Sequence, residues 1–171
     1  MHVGADKWVA VDLTHQTATA YVGLVPVRTM RVATGVAPDW VTPTGRFWIF
    51  RKVADDRMRG GEPGRPGSWD VAHVPYAQYF YRGVAFHGAW WTRRFGVPQS
   101  HGCVQLATRM HNPDPRGVPE DAGWLWHFTN LGTLVVVTGK TPTAPPLPRR
   151  PPAPVPGPPP SGARSAASSI P

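Results

Sequence analysis

The one cysteine of this 171-residue chain, Cys103, lies two residues after His101 and sixteen after His87. Glycines adjoin these residues at Gly88 and Gly102, within the runs Ala85-Phe86-His87-Gly88 and Ser100-His101-Gly102-Cys103-Val104. A cysteine attacks as its thiolate, and an unassisted thiol is mostly protonated at neutral pH, so it needs a base beside it. An imidazole titrates in the range required. Gly102 lets the backbone turn tightly with no Cβ in the way, which can aim successive N–H groups at the oxygen of an attacked carbonyl. Cys103 is therefore a candidate nucleophile with an oxyanion hole, and His87 and His101 are its candidate bases. Selective alkylation of Cys103 near neutral pH is expected.

Other chemistries use the same residues. A lone cysteine commonly packs as a small hydrophobe. His87, His101 and Cys103 could also be three zinc ligands, although a fourth ligand and paired C-x-x-C spacing are missing.

The elements that must position these residues read as short strands. Trp8–Asp12 and Thr17–Val22 flank a hairpin turn at Thr14-His15-Gln16, and Val25–Ala33 gives a third strand whose Pro26 marks an edge or bulge. After Thr42-Pro43-Thr44-Gly45, the residues Arg46–Lys52 are expected to form one long strand, and Asp55–Ser68, rich in glycine, proline and charge, a mobile loop. Trp69–Phe86 is aromatic-rich and alternates as strands do, most of its rings serving the core. A Pro- and Arg-containing loop follows over Thr108–Pro119, then a short helix over Asp121–Phe128 with acids near its start, and a buried strand at Val135–Val137. His73, His111 and His127 carry no motif and are read as structural or surface residues.

Composition bounds the rest. With 41% hydrophobic residues the chain suits a single core, so residues 1–140 are expected to be one mainly β domain, a sandwich or barrel with one or two short helices. Residues 141–171 hold twelve prolines and then a Ser/Ala-rich stretch, and are expected to be a disordered tail. The net charge of +8 favours anionic partners such as cell-wall polymers, while no nucleic-acid reading motif accompanies it. No segment reaches the roughly 18 apolar residues of a membrane span, and no secretory signal is visible at the start.

His-Gly, a gap of about a dozen residues, then Ser-His-Gly-Cys-aliphatic resembles the signature of the L,D-transpeptidase catalytic domain (YkuD-type). The resemblance covers roughly residues 5 to 139. Lys7–Leu13 resembles the family's opening strand, Thr42–Phe47 its TPTG-x-F segment, and Gly132–Val137 its closing strand. It implies that Cys103 forms a thioester with substrate and that His87 is the proton donor and acceptor, its imidazole oriented by the Gly88 carbonyl. His101, Gly102 and the Cys103 amide would border the oxyanion hole, and Ser100 would brace the loop. Relatives often carry Asn or Arg where this chain has Gln105, so the chain departs from the family's pattern at this candidate substrate contact.

Trp90, Trp91, Arg93 and Arg94 lie between the two motifs, and a segment tethered at both ends to the site passes close to it. They are candidates for holding a carboxylate-bearing peptide stem, the arginines by charge-assisted hydrogen bonds. The function implied is cross-linking of peptidoglycan stem peptides outside the cytoplasm, in cell wall or periplasm, by a monomer needing no metal or organic cofactor. Rival readings are a carboxypeptidase or a protein-anchoring transferase using the same acyl-enzyme, and a non-catalytic wall-binding module.

Overall fold

A computed structural model describes residues 6–143, so all but the first residues of the expected Pro-rich tail lie outside the described part. Nine strands and one helix occupy the described residues, arranged as two sheets. The first sheet has the order β3-β2-β1-β9-β4, formed by β1 (Lys7–Asp12), β2 (Thr17–Val22), β3 (Val25–Arg31), β4 (Gly45–Trp48) and β9 (Leu134–Thr138). The second has the order β5-β6-β7-β8, formed by β5 (Arg51–Gly60), β6 (Trp69–Tyr81), β7 (Val84–Gly88) and β8 (Val104–Leu106). The chain is mainly β, as its alternating patterns imply.

Side chains of a strand alternate between faces, and the inward residues of both sheets meet in one core. Val9 and Val11 of β1 stand in parallel register with Val135 and Val137 of β9, and all four are buried. Phe80, Phe86, Val104 and Leu106 meet them from the second sheet, with Ala122 and Leu125 of helix α1 (Asp121–Phe128). Each large apolar side chain fully withdrawn from water contributes roughly 1.5–3 kcal/mol. A smaller cluster on the other face of the second sheet joins Met58, Val74, Ala77 and Ala85, and Cys103 packs against it. The second sheet is thus covered on both faces around β7.

Helix α1 is held at both ends. The Glu120 carboxylate accepts from the backbone N–H of Gly123 at 3.1 Å and of Arg109 at 2.6 Å, capping the helix and fastening the connection after β8. At the other end, Lys52 Nζ donates to the carbonyls of Trp126 at 2.6 Å and Thr129 at 2.8 Å, where a cation complements the last turn.

Two expectations are corrected. Arg46–Lys52 is not one strand, because the chain changes sheets at Ile49 and Phe50. The Ile49 N–H bonds to Thr133 beside β9, and the Phe50 N–H bonds to Tyr79 of β6. No glycine or proline marks the crossing, so the local sequence carries no signal for it. Nor is Asp55–Ser68 a loop throughout. β5 continues to Gly60 and pairs with β6 as far as Gly60↔Trp69, leaving Gly61–Ser68 as the connection. The polar side chains that suggested a loop belong to the ribbon's exposed side, where Arg57 and Asp70 pair at 2.7 Å. No helix among the described residues is long and apolar enough to cross a membrane.

Candidate active site

The site is assembled by the parallel pairing of β7 and β8. Their register sets Phe86 beside Val104 and His87 beside Gln105. Phe86 and Val104 point into the core. Alternation therefore turns His87, Gln105 and, one step before the strand, Cys103 to the opposite face. There they line one cleft of about 150 Å³ together with Met58, Trp69, Val71, Val74, Trp91, Gln99, Ser100 and His101.

His87 is buried and its Nδ1 lies 3.0 Å from the Gly88 carbonyl oxygen. A carbonyl only accepts, so Nδ1 carries the proton and Nε2 of the neutral ring keeps its lone pair. Burial lowers the His87 pKa from 6.5 to about 4, against a smaller opposing effect of the Gly88 hydrogen bond. Cys103 is half-buried, and its thiol lies 3.7 Å from the Gly83 carbonyl. Desolvation raises its pKa from 9.0 to about 11. Both shifts favour a neutral thiol and a neutral imidazole near neutral pH, and the hydrogen-bond partner of the resting thiol is the Gly83 carbonyl. Burial thus leads to the opposite expectation from the motif, slow alkylation of Cys103 near neutral pH.

The turn before Cys103 is locked from two sides. Ser100 Oγ donates to the Cys103 carbonyl at 2.5 Å and accepts the Gly102 N–H at 3.1 Å. The Gly102 N–H is therefore spent inside the turn. Gly102 has φ +119°, a conformation costly for any residue with a Cβ. From the other side, Thr42 Oγ1 donates to the Gly102 carbonyl at 2.7 Å and accepts the Gly35 N–H at 3.0 Å. At Gly35 the chains touch, since a Cβ there would lie 1.7 Å from the Trp40 carbonyl oxygen and 2.8 Å from the Gly102 Cα.

Among the expected substrate contacts, Gln105 and Trp91 line the cleft. Gln105 Oε1 accepts from Gln99 Nε2 at 3.1 Å, and Gln99 Oε1 accepts from Thr92 at 3.3 Å, which ties the intervening segment to the cleft floor. Trp90 lines an adjoining groove with His73. Arg93 and Arg94 do not line the cleft, and Arg93 instead pairs with Asp114 at 3.2 Å. The tether between the motifs constrains the backbone but not the direction of these long side chains.

His101 stacks on Trp69 at 5.3 Å and meets the edge of Trp40 at 5.0 Å, and burial among these rings lowers its pKa. The nitrogen and sulfur atoms of His87, His101 and Cys103 do not converge as metal ligands would. Among the described residues, the grouping whose ligand atoms lie within 4.8 Å of one another is Asp55, His73 and His111.

Sequence reasoning missed Met58, Trp69, Val71, Val74 and Gln99 as cleft residues, and Thr42 as the lock on the turn. Alternation along Trp69–Tyr81 could have picked out one face of β6, but only pairing with β5 says which face meets the cysteine. Tyr79 also packs near Cys103 and donates to Asp56 at 2.7 Å. Burial first, and that bond second, push its hydroxyl above its ordinary range.

A two-sheet β domain with a Cys-His cleft at the end of a parallel strand pair now has a family to set beside it. The sequence matches the L,D-transpeptidase catalytic domain family over residues 6–137, and the chain belongs to that family. Its fold is similar to that of an L,D-transpeptidase from Mycobacterium smegmatis, with 26% identity and a TM-score of 0.65 over 79% of this chain and 59% of the other. L,D-transpeptidase 3 from Mycobacterium tuberculosis, bound to a faropenem-derived adduct, is similar at 22% identity and TM-score 0.64, covering 77% and 60%. An Enterococcus faecium L,D-transpeptidase gives 23% and 0.61, covering 78% and 50%. The chain thus spans three fifths or less of the length of these structures. No curated protein matches it.

Proposed function

We propose that this protein is a peptidoglycan L,D-transpeptidase that works through a thioester on Cys103. The observation that carries the reading is the β7–β8 register, which turns Cys103 and the tautomer-fixed His87 into one cleft. In the first half-reaction Sγ attacks the carbonyl that precedes the terminal D-residue of a stem tetrapeptide. The thiol proton passes to His87 Nε2 as the C–S bond forms, and then to the departing amine as the C–N bond breaks. In the second half-reaction the amine of another stem attacks the thioester. His87 takes its proton and returns it to sulfur, leaving a new amide cross-link and free enzyme. The backbone N–H groups of His101 and Cys103 would receive the developing oxyanion, while the Gly102 N–H stays on Ser100 Oγ and Ser100 and Thr42 hold the turn in shape.

The raised thiol pKa fits this order of events. Proton transfer accompanies attack on a bound carbonyl, and the idle enzyme does not carry a reactive thiolate. The substrate lies outside the cytoplasm, which is where the protein would act.

Intact-mass analysis after incubation with a disaccharide-tetrapeptide donor tests the proposal. A gain equal to the donor minus its terminal residue, located on the peptide holding Cys103 and missing in Cys103→Ala, is expected. Cross-linked dimer formed at the full rate by Cys103→Ala would refute it. Products trimmed by one residue without dimers would redirect the reading to a carboxypeptidase.

A further inference from the structure

We propose that Asp55, His73 and His111 form a binding site for a divalent transition-metal ion of the zinc class, outside the cysteine cleft. Asp55 stands on β5, His73 on β6, and His111 in the connection between β8 and α1. His73 Nδ1 lies 3.1 Å from Asp55 Oδ2, and His111 Nε2 lies 3.8 Å from that same oxygen. The three ligand atoms fall within 4.8 Å of one another, and the two imidazole rings are 5.3 Å apart.

These spacings are those of ligands that can gather around one ion. Bonds of about 2.0–2.1 Å in a tetrahedral zinc site hold neighbouring ligand atoms about 3.3 Å apart, a value bracketed by 3.1 and 3.8 Å. A simple His–Asp hydrogen bond accounts for His73 alone. His111 aims at an oxygen already engaged and stops beyond hydrogen-bond range of it. All three residues are exposed, so small side-chain rotations are open to them.

Two imidazoles and one carboxylate favour zinc, nickel or copper over calcium or magnesium, which require more oxygen ligands. Three protein ligands leave a coordination position open to water. The backbone supports the arrangement. His73 and His111 both have positive φ, at 54° and 60°, a conformation uncommon without glycine, and the His73 carbonyl is held by Trp90 Nε1 at 2.9 Å.

The ion would clip two distant parts of the chain. His73 and His111 are 38 residues apart in sequence, and the segment between them carries both His87 and Cys103. On β6, Val71 and Val74 flank His73 and line the cleft. Metal binding would therefore fasten the cleft wall to the connection after β8, and it would stabilise the folded chain by mass action.

The test uses the full chain carrying Cys103→Ser, which removes the cleft thiol as a competing ligand, and titrates it with zinc chloride by calorimetry alongside thermal melts. One equivalent of zinc per chain is expected, with a melting temperature that rises saturably with zinc. Adding His73→Ala and His111→Ala should weaken binding at least about a hundredfold and abolish the rise, and His111→Gln alone should weaken it about tenfold, each with an unchanged circular dichroism spectrum. Less than one equivalent bound at about 100 μM zinc, or equal affinity with and without the two histidines, would overturn the proposal. The result is independent of acyl transfer by Cys103, so either reading can fail alone.

Discussion

Thr42 donates its hydroxyl to the carbonyl of Gly102 at 2.7 Å, sixty residues along the chain, while accepting the Gly35 N–H. A fully buried threonine thus fixes the turn that delivers Cys103 to the cleft, although its own hydrogen bonds go to Gly35 and Gly102 and not to Cys103 or His87. Replacing it with an isosteric apolar residue leaves two buried backbone groups without their partner.

Thr42→Val should destabilise the fold by about 1–3 kcal/mol and slow thioester formation, while Thr42→Ser should restore most of both. Thermal melts and single-turnover acylation measured on the same preparations check this. Wild-type acylation in the valine variant would mean that Ser100 alone holds the turn.

Because burial raises the Cys103 thiol to about 11, iodoacetamide should modify it slowly at pH 7. The rate should rise about tenfold per pH unit toward the thiol pKa. A pH–rate profile followed by mass spectrometry reads this directly. A rate already level between pH 6 and 8 would instead indicate a preformed thiolate–imidazolium pair.

His87 is held neutral by burial, with its pKa at about 4 instead of 6.5. The stabilisation tied to this depressed value is fully present above pH 6.5. It is lost as pH falls toward 4, because the unfolded chain takes up a proton that the folded chain refuses. The loss should reach on the order of 3 kcal/mol. Denaturant unfolding at a series of pH values should therefore show a steeper acid decline for the wild type than for His87→Gln, whose side chain does not titrate. Parallel curves would contradict the buried neutral imidazole.

Trp69 lines the cleft and stacks on His101 at 5.3 Å. Trp69→Ala should raise KM for the donor several-fold, on the order of 1 kcal/mol of lost apolar contact, and lower kcat less. Steady-state kinetics with the tetrapeptide donor separates the two. A fall in kcat at unchanged KM would place Trp69 with the groups that orient the turn.

The sequence by itself determined most of the strands and marked the candidate chemistry-bearing residues. One cysteine two residues after a histidine, glycines at the turns, and period-two runs such as Trp8–Asp12 are local features, and local features survive in a linear reading. It did not reveal which strands pair, and the errors follow from that. Arg46–Lys52 divides between two sheets because Thr133 and Tyr79, far along the chain, offer the hydrogen bonds. Asp55–Gly60 became strand because β6, from Trp69 to Pro75, lies across from it. Tertiary structure alone decided that Thr42 reaches Gly102, that Arg93 turns to Asp114 and away from the cleft, and that His73, His111 and Asp55 converge. The physical reason is common to all three. A side chain's direction and partner depend on register between segments distant in sequence, and register is set by the whole core closing at once.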